Sequence, residues 1–337
     1  MKLILALFFA RNKELFRDRG SLVWAFVTPP LVIALVAVAF SDGKQPVFKV
    51  GIYQQPDSQQ YSATLPAVLE TDYIQRIEYE DFDKAIQRVQ HHQLDMLVLP
   101  GNPLRYWVNA DSQNGVALQD LLHSDPDLHL QKEQVSGRAV RYVDWVLPGF
   151  LGMDIMFSGL FGIGYVIVRY RKNGVLKRLK ATPVTPLQFL TAQLASRLMI
   201  MLFFSVMIYV VADIFLDILM LGSYWALFLV AVMGAIATLS IALLIAARFS
   251  SEELANGLLN LLSFPMILLS EVWFPLDDAP SWLHGLSQAL PLTHVVGAAR
   301  EIMIEGASLA DITQHLLYLL IISIVCLGVS AKLFRWN

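Results

Sequence analysis

Long apolar runs, nearly free of charge, recur along this chain and constrain its fold more than any other feature. The run 22–40 carries no charged residue. As a helix rising ~1.5 Å per residue it reaches ~28 Å, enough for a bilayer core. Comparable runs follow at 146–168, 189–212, 224–247 and 315–334, and a further one begins at 258–269. Of the 337 residues, 56% are hydrophobic. A soluble domain holds roughly 45–50%, and the excess here sits in the runs. The sequence therefore predicts an α-helical integral membrane protein with six transmembrane helices. Pro29-Pro30 predicts a kink in the first of them.

The polar segments between the runs have distinct characters. Residues 1–20 read as an amphipathic helix on the inner membrane surface. Ile4, Leu5, Phe8, Leu15 and Phe16 line one side, and Arg11, Lys13 and Arg17 face headgroups and water. A signal peptide is a poor reading, because Arg11-Asn12-Lys13-Glu14 follows the apolar start with no small-x-small cleavage site before it. The first span occupies 21–40. Residues 41–143 read as a small α/β domain, with strands at 47–53, 74–79, 94–99 and 104–108 and helices at 58–71, 81–92 and 116–122. The rest, 144–337, holds the other five spans. Within it, 271–304 is apolar but broken by Pro275, Pro280 and Pro291, with Trp273 and Trp282 suited to an interface. It reads as re-entrant helices or segments on the outer leaflet.

Orientation follows from the basic residues of the short loops. Arg11, Lys13, Arg17 and Arg19 precede the first span. Arg169, Arg171, Lys172, Lys177, Arg178 and Lys180 separate the second from the third, Arg248 follows the fourth, and Lys332 and Arg335 come last. The other side carries Asp213, Asp217, Asp277 and Asp278. The positive-inside rule puts both termini in the cytoplasm and 41–143 outside it. A net charge of -3 implies no nucleic-acid partner. The single cysteine, Cys326, lies in an apolar run and reads as a packing residue.

Three stretches resemble the ABC type-2 exporter permease family. Leu147-Pro148-Gly149-Phe150 opens the second span and leads to the inner loop Asn173-Gly174-Val175-Leu176-Lys177-Arg178-Leu179-Lys180-Ala181-Thr182-Pro183-Val184. Phe264-Pro265 runs on to Ser270-Glu271-Val272-Trp273-Phe274-Pro275. Leu290-Pro291-Leu292-Thr293 is followed by Ala298-Ala299-Arg300. Together, in order and across essentially the whole chain, they carry the resemblance. Two departures stand out. The acidic residue usual before the inner-loop glycine is missing from Arg169-Tyr170-Arg171-Lys172, and Glu271 stands where glycine is usual.

The resemblance implies the permease subunit of an exporter in a bacterial cytoplasmic (inner) membrane. It further implies a separate cytoplasmic ABC ATPase, a second permease subunit (the same chain or a close homologue) and a periplasmic adaptor as partners. The residues agree. No Gly-x-x-x-x-Gly-Lys-Ser/Thr loop is present to cradle phosphates, so ATP and magnesium belong to the partner and this chain binds no cofactor. Nor is there a nucleophile–base pair or a metal-ligand spacing. His91-His92 are adjacent and point apart on a helix. The expected coupling helix spans 173–182, with Gly174 making the turn, Leu176 and Leu179 an apolar anchor, and Lys177 and Arg178 the charge. Glu252 and Glu253 mark a second contact. Asp154 and Glu271 are the candidates for a substrate path, since an intramembrane carboxylate is costly without a partner or a wet cavity. Arg197 is expected to snorkel to the interface, and Gly159, Gly162 and Gly164 to let helices approach. Sparse intramembrane charge favours an amphipathic drug or lipid-like substrate. A membrane-anchored sensor or assembly factor is the alternative, with the outer domain as its binding module. Inverted repeats, which an ion-driven carrier would want, are not evident.

Overall fold

The computed structural model describes residues 2–17, 48–53, 66, 69, 71, 73–79, 81–101, 103–124, 129–249, 251–273, 276 and 280–333. The span expected at 21–40, the breaker Pro275 and most of the helix expected at 58–71 lie outside them. The chain divides into two compact units, Ser41–Tyr142 and the remainder. It begins with α1 (Lys2–Arg17), which belongs to the second of these.

The Ser41–Tyr142 unit is built on a five-stranded sheet of order β2-β1-β3-β4-β5. The strands are β1 (Phe48–Tyr53), β2 (Ile74–Tyr79), β3 (Met96–Leu99), β4 (Leu104–Asn109) and β5 (Leu130–Val135). Only β3 and β4 pair antiparallel. Side chains alternate across the sheet with the strand period of two. Val50, Met96, Val98, Tyr106 and Val108 meet Leu118 and Leu122 of α3 (Gln113–His123) on one face. Leu97 and Trp107 meet Ala85 and Val89 of α2 (Phe82–Gln90) on the other. Asp81 and Ser112 cap the two helices through backbone N–H groups. Asn109, fully buried, ties the end of β4 down by donating to the carbonyls of Gln90 (2.7 Å) and Gly137 (3.1 Å). Sequence reasoning missed β5. Its segment, Leu-Gln-Lys-Glu-Gln-Val, is mostly exposed and has no apolar alternation to betray it.

The other unit is helical. After α4 (Tyr142–Lys172) come α5 (Val175–Lys180), α6 (Pro186–Leu216), α7 (Tyr224–Arg248) and α8 (Glu252–Leu269). They are followed by α9 (Ser281–Gln288), α10 (Pro291–Glu305) and α11 (Thr313–Leu333). Among the described residues four helices, α4, α6, α7 and α11, are long and apolar enough to cross a membrane. The expected spans 146–168, 189–212 and 224–247 fall inside the first three, and α11 covers all but the end of 315–334. The helix expected from 258 begins earlier, at Glu252, and its 18 residues include two glutamates and two asparagines. Pro280 and Pro291 sit at the starts of α9 and α10, where a missing N–H costs nothing. Thr185 and Gln188 close a capping box at the start of α6.

Helix α1 packs along α6. Leu7 joins the core, Asn12 is buried and accepts from the Ser196 hydroxyl (2.5 Å), and Arg11 donates to the Tyr170 hydroxyl (3.2 Å). Leu5 and Phe9 face outward.

At the centre lies α4, which meets its neighbours at glycines. A Cβ on Gly149 would lie 2.7 Å from the Val272 carbonyl oxygen, and one on Gly159 2.6 Å from Thr238 Oγ1. Gly152 faces Val296 and Leu292 of α10, and Gly164 faces Leu259 of α8. In lipid, where apolar burial between helices gains little, close backbone approach is the main attraction. Gly149→Val drives side-chain atoms into backbone that cannot rotate away. It is expected to cost about 1–3 kcal/mol, read as a lower melting temperature of the detergent-purified protein. Lipid-facing Ile324→Val should leave that temperature unchanged.

Candidate functional site

The basic end of the helical unit gathers the residues predicted to couple to a partner. Arg171, in the last turn of α4, is buried. Its guanidinium donates to the carbonyls of Ala246 (2.9 Å), Ala247 (3.4 Å) and Phe249 at the end of α7. A helix C-terminus leaves its last carbonyls without intrahelical donors, and Arg171 supplies them from a neighbouring helix. Lys172 forms an ion pair with Glu252 in the first turn of α8 (3.6 Å). The Ser251 hydroxyl accepts from Leu254 N–H as the cap of α8 and donates to Glu253 (2.7 Å). That hydroxyl contact, foremost, holds the Glu253 carboxyl below its ordinary pKa, with Lys172 adding to it. The inner loop and the α7–α8 turn, predicted separately, therefore share one place.

Gly174 makes the turn out of α4 with a φ of +67°. Nothing crowds the position of its missing Cβ, so the backbone angle, not space, calls for glycine. The turn launches α5. Leu176 is fully buried in this chain's own core with Ile167, Phe189, Ala246 and Ala255, and Leu179 is half-buried against the same cluster. The apolar anchor expected of them is thus engaged within the chain. What α5 leaves exposed is Lys177, Arg178 and Lys180, a basic outer face.

The two carboxylates expected on a substrate path lie on different elements, Asp154 on α4 and Glu271 in the turn after α8. Asp154 is in the helix interior, and its Oδ2 has no hydrogen-bond partner among the described residues. Arg197 of α6 lies within electrostatic reach of it. Arg197 does not run out to the interface as expected. Its Nε donates to the Ser158 carbonyl (2.9 Å), and the guanidinium occupies the space where a Cβ on Gly162 would stand. An interior carboxylate and an interior guanidinium offset one another's desolvation.

Glu271 sits in the left-handed region, φ +53°, where glycine is favoured. Arg300 of α10 holds it there. The guanidinium donates to the Glu271 carbonyl and to the Trp145 carbonyl (3.1 Å), pairs with the Glu271 carboxylate (3.4 Å) and lies 3.6 Å from the centre of the Trp145 ring. The contact joins α4, the turn after α8, and α10. Glu271→Gly would relieve ~1–2 kcal/mol of backbone strain. It would lose a pair whose carboxylate is 34% exposed, worth at most ~1 kcal/mol. It is therefore expected to fold as well as the parent. Arg300→Ala strands two carbonyls and a carboxylate and is expected to cost about 3 kcal/mol. Thermal melts of the two variants check the contrast.

Comparison with known proteins shows the family. The sequence profile described as ABC-2 family transporter protein matches residues 19–332. The chain is 23% identical to "Probable multidrug ABC transporter permease YbhR" of Escherichia coli, over 58% of this chain and 53% of that one. It is 26% identical to the "Linearmycin resistance permease protein LnrN" of Bacillus subtilis, over 55% and 48%. It is 25% identical to "ABC transporter G family member 20" of Dictyostelium discoideum, over 57% and 28%. The matched part thus spans about half of the two bacterial relatives and less of the third. With the profile covering nearly all of the described residues, and with apolar helices on which such a protein depends, this chain belongs to the ABC-2 family of transporter proteins.

Proposed function

We propose that the chain is the permease subunit of an ATP-binding-cassette exporter in a bacterial inner membrane. It moves an amphipathic substrate outward, and a separate cytoplasmic ATPase holds the ATP and magnesium. The observation that carries this reading is the joined basic platform. Arg171 and Lys172 bind the inner loop to the α7–α8 turn, and α5, launched from that loop, presents Lys177, Arg178 and Lys180 on its exposed face. A partner that moved this platform would act on α4, α7 and α8 together. The bacterial relatives named as multidrug and resistance permeases support the substrate class.

A second permease copy completes the reading. On α8, Leu254, Leu261, Phe264 and Leu268 are exposed, and Asn256 and Asn260 bond mainly to their own helix. Asparagines facing bare lipid would be costly; a second copy or a wet path shared with it would not be.

Two experiments test the proposal. Because Leu176 is a core residue, its replacement would unfold the loop and say little about docking. Lys177→Glu with Arg178→Glu changes only the exposed face. This pair is expected to insert normally but to lose most ATPase co-purification and substrate-stimulated hydrolysis; undiminished co-purification and stimulation would reject α5 as the coupling element. For topology, in a Cys326→Ser background, a cysteine at exposed Gln113 is expected to react with an impermeant thiol reagent applied outside intact cells. A cysteine at Lys177 should react only after lysis. The reverse pattern would invert the arrangement.

A further inference from the structure

A cavity of about 600 Å³ opens between α4, α6, α7 and α10, in the half of the helical unit away from the basic platform. Its walls are apolar, with Leu151, Ile155, Val210, Phe228 and Val295 among them. Its polar groups are few, on Ser205, Tyr209 and Asp213 of α6 and on Tyr224 and Trp225 of α7. Ser205 is only 6% exposed and lines the cavity, yet its hydroxyl has no partner among the described residues. A serine in a helix ordinarily bonds back to the carbonyl one turn earlier; this one does not. Asp213 lies two turns further along, ~12 Å away at ~1.5 Å per residue. Among the described residues it forms no ion pair, and no lysine, arginine or histidine lines the cavity. Between them, Tyr209 meets Tyr224 edge to face at 6.0 Å, and Trp225 stands next to Tyr224 in the lining.

We propose that this cavity binds a lipophilic cation, with the positive group between Asp213 and the aromatic rings of Tyr209, Tyr224 and Trp225 and the apolar body running toward Ser205. The complementarity is one of charge and shape. One carboxylate with no countercharge selects a cation, and aromatic faces add to that attraction. The volume is that of a drug-sized ligand, and apolar walls exclude a small hydrated ion. The unbonded Ser205 hydroxyl offers a hydrogen bond at the far end of the body. The inference deepens the exporter reading by naming a substrate class. It rests on that reading only for transport, not for binding.

The test uses two probes of one shape and opposite charge, tetraphenylphosphonium and tetraphenylborate. The full chain with its ATPase is placed in phosphatidylcholine nanodiscs, and binding is measured by equilibrium dialysis without ATP. Saturable binding of the cation, not of the anion, is expected. Asp213→Asn should weaken it by about tenfold or more, the loss of one charge-assisted contact in partly dry surroundings, and Asp213→Glu should retain it. Val210→Trp, which fills the cavity while keeping the Asp213 carboxylate, should also abolish it. Equal affinity for both probes, or cation binding unchanged in Asp213→Asn and in Val210→Trp, would overturn the proposal. So would competition by phosphatidylethanolamine added to the nanodisc, which would give the cavity to a resident amine lipid. Binding needs no docked-platform function, so its absence leaves the permease reading standing. Conversely, failed co-purification of the ATPase with the Lys177 and Arg178 variants leaves the cation site untouched.

Discussion

The helical unit depends on how closely α4 can approach its neighbours. Over 31 residues it touches the turn after α8 at Gly149, α10 at Gly152, α7 at Gly159, the Arg197 side chain of α6 at Gly162, and α8 at Gly164. Helices in lipid gain little from hiding apolar surface from one another, so dispersion at short range and shared polar contacts must hold them. A glycine at each crossing lets backbones approach, and the flanking large residues then interdigitate. Met156 and Leu160 meet Leu259, Met266 and Val296 on one side; Ile163 and Ile167 meet Phe189 and Leu239 on another. The two clusters share α4 as their common wall.

The polar contacts that lock this packing sit at its two ends. At one, Arg171 donates to the open carbonyls of α7 and Lys172 reaches Glu252. At the other, Arg300 ties Trp145 to the Glu271 turn. Asp144 adds a third link there, accepting from Leu219 N–H (3.0 Å) after α6. In each case a charged side chain satisfies backbone groups that a helix end or tight turn leaves unpaired. Buried charge is tolerable in an apolar protein where it does this, because the backbone group would otherwise lie unsatisfied in low dielectric.

How much of this was legible in the sequence depends on whether a feature is periodic or relational. The described long helices were legible because hydropathy is a property of each segment alone. So were the breaks at Pro280 and Pro291, and the strands with apolar alternation. Strand β5 was not, since a polar edge strand is defined by its partner β4 rather than by its own composition. The site divided the same way. Gly174 as a turn and Lys177 and Arg178 as exposed charges were readable locally. Leu176 looked identical to a docking residue, because an apolar position on a short helix does not say whether its pocket is inside or outside the chain. Arg171 was one of six basic residues in a loop, and only the nearby end of α7 distinguishes it. Arg197 was expected to snorkel to the interface and instead lies against α4 in the room over Gly162. Glu271 was noticed as a departure from glycine. Its positive φ supplies the reason glycine suits that position, and Arg300 supplies the means of doing without it.

The same two helices border both the basic platform and the cavity. Helix α4 carries Leu151 and Ile155 in the cavity wall and Arg171 at its other end. Helix α7 carries Trp225 and Phe228 in the wall and, at its other end, the carbonyls that Arg171 binds. The Arg171 contacts fix these two helices to one another where they leave the bundle, while nothing comparable among the described hydrogen bonds crosses the cavity between them. The Gly159–Thr238 crossing of α4 and α7 lies between the two places. A Cβ on Gly159 would lie 2.6 Å from Thr238 Oγ1 there, so the two helices can meet this closely because α4 has a glycine at that point.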